Sequence, residues 1–164
     1  TDAQALKQSL DDLRCLVEAR EEPGLGGRFE DALRAEGLSV IAEIKWASPS
    51  AGTIRQAENR QQATQEIARQ YTEAGAAAIS VLTEADFFDG GFHFLDAAHD
   101  AVETPLLMKD FVIDEYQLYQ ARRHGASAVL LIATILDGPH LHDLHQQANA
   151  LRIIFWCHRP LNSP

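Results

Sequence analysis

Residues 105–132 read PLLMKDFVIDEYQLYQARRHGASAVLLI, and the architecture can be worked out from them. A short apolar run, Leu106-Leu107-Met108, ends in Lys109. A helical pattern follows over residues 115–123, then His124-Gly125-Ala126 and a second apolar run over residues 128–132. A glycine between a helix and a strand is the residue that closes a helix in the left-handed conformation. Uninterrupted short apolar runs are strands buried on both faces, as in a parallel sheet. The unit is β–α–β, with the helix packed outside the strands.

The same unit recurs upstream and downstream. Residues 38–44 (LSVIAEI) form a first run, followed by a long loop and a helix near residues 62–74. Gly75 leads into a second run at 77–82 (AAISVL), then a loop, FFDGGF, and a helix near 94–102. After the fourth run, at 128–132, a helix near 140–151 leads to a fifth run at 153–156. Before the first strand stand two helices, the acidic amphipathic TDAQALKQSLDDLRCL and a short one over 29–36, with a loop at 21–27 between them. Four βα units and a fifth-strand stub suit either a five-stranded flavodoxin-like sheet or part of a (β/α)8 barrel. A complete barrel takes about 250 residues, and the chain has 164.

Charge narrows the functional classes. Fourteen Lys and Arg against 24 Asp and Glu leave a net charge of -10, a surface that repels phosphate backbones and argues against a nucleic-acid partner. The longest apolar run, residues 128–133, is too short to span a bilayer. The N-terminal pattern lacks the basic flank and long apolar run of a signal peptide. Cys15 and Cys157 make no disulfide framework and read as reduced thiols in a cytoplasmic protein.

In such folds ligands bind at the carboxyl ends of the strands. There the first run gives Glu43-Ile44-Lys45, whose alternation puts carboxylate and ammonium on one face. Each alters the other's proton affinity, an arrangement suited to acid–base work, although a solvated ion pair has the same spacing. Ser48 and Ser50, beside Pro49 and Gly52, offer hydroxyls and backbone N–H groups to an anion. Lys109 ends the third run as a second convergent cation. Phe87, Phe88 and Phe111 follow strands two and three and offer an apolar wall for an aromatic ligand. The histidines of HLHDLH (His140, His142, His145) open a helix on which His140 and His142 point in different directions, and they read as a solvated helix face, not a metal site. FFDGG lacks the glycine pattern of a nucleotide loop.

Three segments together resemble one family. VIAEIKWASPSAGTI, YTEAGAAAISVLTEADFFDGGFHFL and PLLMKDFVIDEYQLYQARRHGASAVLLI, in this order, are similar to indole-3-glycerol phosphate synthase of tryptophan biosynthesis. The resemblance runs from the first helix to about position 150. It implies an α/β fold of the (β/α)8 TIM-barrel family, here reduced to about four βα units, a fifth-strand stub and N-terminal helices. The divisions are residues 1–37 as a helical extension, 38–152 as a partial barrel and 153–164 as a divergent tail.

The activity implied is that of a carboxy-lyase. It converts 1-(2-carboxyphenylamino)-1-deoxyribulose 5-phosphate to indole-3-glycerol phosphate, losing carbon dioxide and water, with no metal or organic cofactor. The resemblance assigns Lys109 as general acid, with Glu43 and Lys45 in the catalytic centre. It makes Ser48 a substrate contact and has Phe88, Phe111 and Leu131 line the pocket around the anthranilate ring. The partner implied is a small phosphorylated anion, and neither nucleic acid nor membrane.

The chain also departs from the family. Trp46 stands where a basic residue is usual, and QAENRQQAT lacks the acidic-Pro pattern. The fifth strand should carry a catalytic carboxylate within a sequence like LVEVH, yet LRIIFWCHRPLNSP has none. The residues of strands six to eight are absent. The chain is therefore expected to be an incomplete synthase with negligible turnover. The alternative is a non-catalytic half-barrel that associates through exposed sheet edges with itself or another fragment.

Overall fold

A computed structural model describes residues 2–18 and 25–158. Its centre is a five-stranded sheet of β1 (Ile41–Ile44), β4 (Ala78–Leu82), β5 (Leu106–Lys109), β6 (Ala128–Ile132) and β7 (Ile154–His158). The strands lie side by side in that order, and every pairing is parallel. Each new strand joins the same edge, so the order never reverses. A doubly wound flavodoxin-like sheet requires a reversal, and that alternative is thereby excluded. The sheet is open, its edges formed by β1 and β7.

Four helices alternate with these strands: α3 (Arg60–Glu73), α4 (Phe92–Ala101), α5 (Glu115–Arg123) and α6 (Gly138–Ala150). All four pack on one face. Ile44, Ile79, Val81, Met108, Val129 and Leu131 of the strands form one core with Ile67, Leu95, Leu118 and Leu144 of the helices. Helices confined to one face, over strands in sequential order, make the wall of an incomplete (β/α)8 barrel.

Local signals start and stop these helices. Asn59, Asp114 and Asp137 each accept a backbone N–H from the first turn of α3, α5 and α6. Asp114 and Gln117 form a complete capping box. Gly75 (φ +84) and Gly125 (φ +79) follow α3 and α5 in the left-handed conformation, as their place between helix and strand predicts. At Gly125 a Cβ atom would lie 2.5 Å from the His99 ring.

The opposite face is covered at the amino ends of the strands by α2 (Leu25–Arg34). Phe29 is buried against Ala78, Leu107 and Ala128, with Leu33, Ile41 and Ile154 around it. The small alanines of β4 and β6 leave room for its ring. This helix begins earlier than the sequence predicts, because Gly26 and Gly27 belong to it. Burying Phe29 and Leu33 outweighs the cost of about 1 kcal/mol for each helical glycine. Of the predicted loop at 21–27, residues 21–24 lie outside the described residues. The leading helix, α1 (Asp2–Glu18), packs Leu13 and Val17 on Tyr119 of α5. Cys15, on the same helix, is exposed. The Cys157 side chain and residues 159–164 lie outside the described residues.

The stretch after β1 is not the long loop expected. Ala47–Ser48 (β2) and Gly52–Thr53 (β3) form a miniature antiparallel hairpin, with Gly52 at φ +62. Gly52 takes the left-handed conformation where the return strand begins, directly after the three-residue turn at 49–51, a feature that strand periodicity does not reveal.

Candidate active site

The site is built on the carboxyl ends of β1, β4 and β5. Parallel register sets Glu43 opposite Ser80, and Leu82 opposite Lys109. Alternation along the strands then turns Glu43 and Lys109 to the face opposite α3–α6, beyond the part that α2 covers. Across 66 residues of sequence their side chains meet: Lys109 Nζ donates to Glu43 Oε2. Lys45 Nζ lies 2.7 Å from Glu43 Oε1. One carboxylate thus holds two ammonium groups, one on each oxygen, and all three side chains are only 27–39% exposed.

The electrostatics follow from this arrangement. Burial alone pushes the Glu43 carboxyl up, but hydrogen bonds and charge from Lys109 and Lys45 outweigh it and hold it below the usual glutamate range. Tyr71 of α3 fixes the backbone behind, donating its hydroxyl to the Glu43 carbonyl at 3.1 Å. Around neutral pH the cluster carries one negative and two positive charges, a net cation within a strongly acidic chain.

The hairpin and the β4–α4 loop flank this cluster. Ala47 N–H donates to the Phe88 carbonyl at 3.2 Å, tying the two segments together. Ser48 Oγ accepts the Ala51 N–H at 3.2 Å and lies 3.4 Å from Ser50 Oγ. Phe111 packs edge-on against Phe87, with ring centroids 6.5 Å apart. Both rings are substantially exposed, whereas Phe88 is half-buried. The loop is shaped by Glu84, whose two carboxylate oxygens accept the N–H groups of Asp86 and Phe87. A cavity of 140 Å³ beside the cluster is lined by Glu43, Lys45, Trp46, Ile54, Arg55 and Tyr71.

Leu131 is not brought to this site. It is fully buried on the helix-facing side of β6, in one core with Val129 and Met108. The register that sets Met108 opposite Val129 puts Leu130, not Leu131, level with Lys109. A shift of one residue along a strand exchanges the two faces. Trp46, where the family resemblance leads one to expect a basic residue, is 2% exposed and packs on Phe94. The Arg60 guanidinium lies 5.4 Å from its ring centroid.

Sequence reasoning missed Tyr71, Thr83, Glu84, Arg55 and Asp110. The polar residues in SVLTE and MKDF, standing at the ends of apolar strands, were the available signal for three of them. The histidines of α6 behave as a helix face: His142 and His145 bond to Gln146 and Asn149 one turn on. Among the described residues no group of three or more His, Cys, Asp or Glu stands together as a metal site. Among them, too, no helix is long and apolar enough to cross a membrane.

Comparison with known proteins bears on the same segments. A family model described as indole-3-glycerol phosphate synthase matches residues 2–154. Proteins named indole-3-glycerol phosphate synthase from Burkholderia cenocepacia (strain HI2424) and Burkholderia orbicola (strain MC0-3) are each 42% identical to the chain over 150 residues. That alignment covers 91% of this chain and 56% of each relative. The chain thus spans little more than half the length of the curated relatives it matches.

Proposed function

The chain belongs to the indole-3-glycerol phosphate synthase family, and from that premise we propose that its Glu43–Lys45–Lys109 cluster binds and protonates 1-(2-carboxyphenylamino)-1-deoxyribulose 5-phosphate. The observation that carries this reading is the single carboxylate shared by two ammonium groups at the carboxyl ends of β1 and β5. Lys109 donates its proton to the substrate's ketone oxygen. The ring carbon bearing the carboxylate attacks the ketone carbon, forming the new carbon–carbon bond. Carbon dioxide then leaves that ring carbon, and the bonding electrons restore the aromatic ring. The new hydroxyl departs with a proton as water, and loss of a proton from the carbon next to nitrogen completes the indole.

Glu43 holds the Lys109 ammonium in place through their ion pair, and Lys45 holds the substrate's anionic groups. Ser48, Phe88 and Phe111 supply contacts around the site, with Phe87 added to the aromatic wall. The described part of β7 carries no carboxylate. Removing a general base costs about 10²–10⁴-fold, so turnover by these residues is expected to be correspondingly slow. The reaction belongs to a soluble cytoplasmic biosynthetic enzyme acting on a small phosphorylated substrate.

The test is calorimetric titration with the carbonyl-reduced analogue of the substrate, which cannot cyclise. Lys109→Met should weaken binding by at least about tenfold, the value of one charged hydrogen bond. Equal affinity for the variant and the parent protein would overturn the assignment.

A second reading is a non-catalytic half-barrel that associates with another copy or fragment. What favours it is the open sheet, with Val40 beside β1 and Trp156 in β7 both more than 40% exposed.

A further inference from the structure

The ends of β4 and β5 are tied together where their ladder stops. Leu82 and Lys109 are the last register pair. Beyond it the Thr83 N–H donates to the Lys109 carbonyl at 3.2 Å, and Thr83 Oγ1 donates to Asp110 Oδ2 at 2.6 Å. The other Asp110 oxygen accepts the Phe111 N–H at 2.8 Å. Thr83 is 5% exposed, so its hydroxyl is held in one place. A residue following one strand thus binds both the last residue of its neighbour and the one after it.

We propose that Thr83 and Asp110 are positioning residues that fix the direction in which Lys109 leaves β5, and so keep its ammonium on Glu43. Strand ends beyond the last ladder bond fray. A lysine has four rotatable bonds, and its ammonium finds a partner on another strand only if its backbone is held. Thr83 grips the peptide on the carboxyl side of Lys109 at two points. The Asp110–Phe111 bond carries the same constraint to the ring that packs on Phe87. The Asp110 carboxyl is pushed up from the ordinary range by burial, with the Thr83 and Phe111 hydrogen bonds opposing that rise. Both contacts therefore favour the ionised form that accepts them.

The inference deepens the role given to Lys109 above and rests on it for its catalytic meaning, but its test needs no turnover. Trace acylation of the whole chain with acetic anhydride, read by mass spectrometry of the Lys109 peptide, reports how firmly the amine is held. Thr83→Val keeps the side-chain shape and removes the hydroxyl. It should raise Lys109 acylation about three- to tenfold, the equivalent of one net hydrogen bond. Thr83→Ser, which restores the hydroxyl, should stay within about twofold of the parent.

Glu43→Gln is the control, because it frees the ammonium directly. If it speeds acylation while Thr83→Val does not, the positioning role is overturned and the cluster stands. If neither variant changes the rate, the cluster falls and the positioning role falls with it. Should Thr83→Val fail to give a cooperative melting transition, Asp110→Asn is read in its place. An unchanged Lys109 rate in that variant overturns the proposal equally.

Discussion

Glu43 accepts Lys45 on one oxygen and Lys109 on the other, and its titration links the site to stability. Its folded carboxyl titrates below the ordinary glutamate value. Such a group stabilises the fold fully above the unfolded value, near pH 4.3, and the contribution disappears as pH falls through the lower folded value. Glu43→Gln cannot ionise. Denaturant titrations should find it less stable than the parent by about 1–2 kcal/mol at pH 7, allowing for partial solvent screening. The gap should narrow as pH falls below about 4.3. A gap constant from pH 7 to pH 3 would show that the ion pairs contribute nothing to folding.

The residues of this cluster are legible in the sequence, because period-two alternation alone puts Glu43 and Lys45 on one face. What alternation lacks is an origin. It separates Leu130 from Leu131 but does not say which of the two faces the helices, and the pocket role expected of Leu131 fails on that point. Trp46 shows a different limit. It follows a strand end, where side chains are usually wet, yet it is buried between Phe94 and Arg60. Nothing local in the sequence brings those two side chains together.

At the scale of elements, helix boundaries are most legible where a cap declares them. The pattern over residues 115–123 coincides with α5, which is opened by the Asp114–Gln117 box and closed before Gly125. Asp114→Ala should cost about 1 kcal/mol, lowering the melting temperature by about 2–4 °C in a chain of this size. An unchanged melting temperature would mean that packing of Leu118 and Tyr119 alone sets the start of α5. The same helix anchors α1, since Arg14 donates to both oxygens of Glu115 at 2.8 Å. By contrast, the start of the second helix and the β2–β3 hairpin escape a local reading. Their glycines are ambiguous signals: Gly52 makes a turn, whereas Gly26 and Gly27 are carried inside α2 by the burial of Phe29 and Leu33.

For the whole molecule, the open sheet is the governing feature. Among the described residues its edge strands, β1 and β7, each pair with a single neighbouring strand, and such edges recruit other strands. If the half-barrel reading is right, sedimentation at low micromolar concentration should give a mass above the 18.1 kDa of one chain. A clean monomer with a cooperative melting transition would refute that reading. Net charge acts at the same scale: at -10 the surface repels polyanions. The paired lysines make one local exception for a small anion.

The parallel α/β class, the order of the elements, the glycine closures of α3 and α5, and the lysines and glutamate at the strand ends are readable from the chain alone. Each of these rests on local periodicity, turn chemistry or a motif contained within a few tens of residues. That the strands add in one direction, that α2 covers the second face, and that Leu130 shares the face of Lys109 are properties of the folded molecule. The fold alone brings Lys109 to Glu43 and Thr83 to Asp110. Those facts depend on register between strands distant in sequence, and register is set by packing on both faces of the sheet at once.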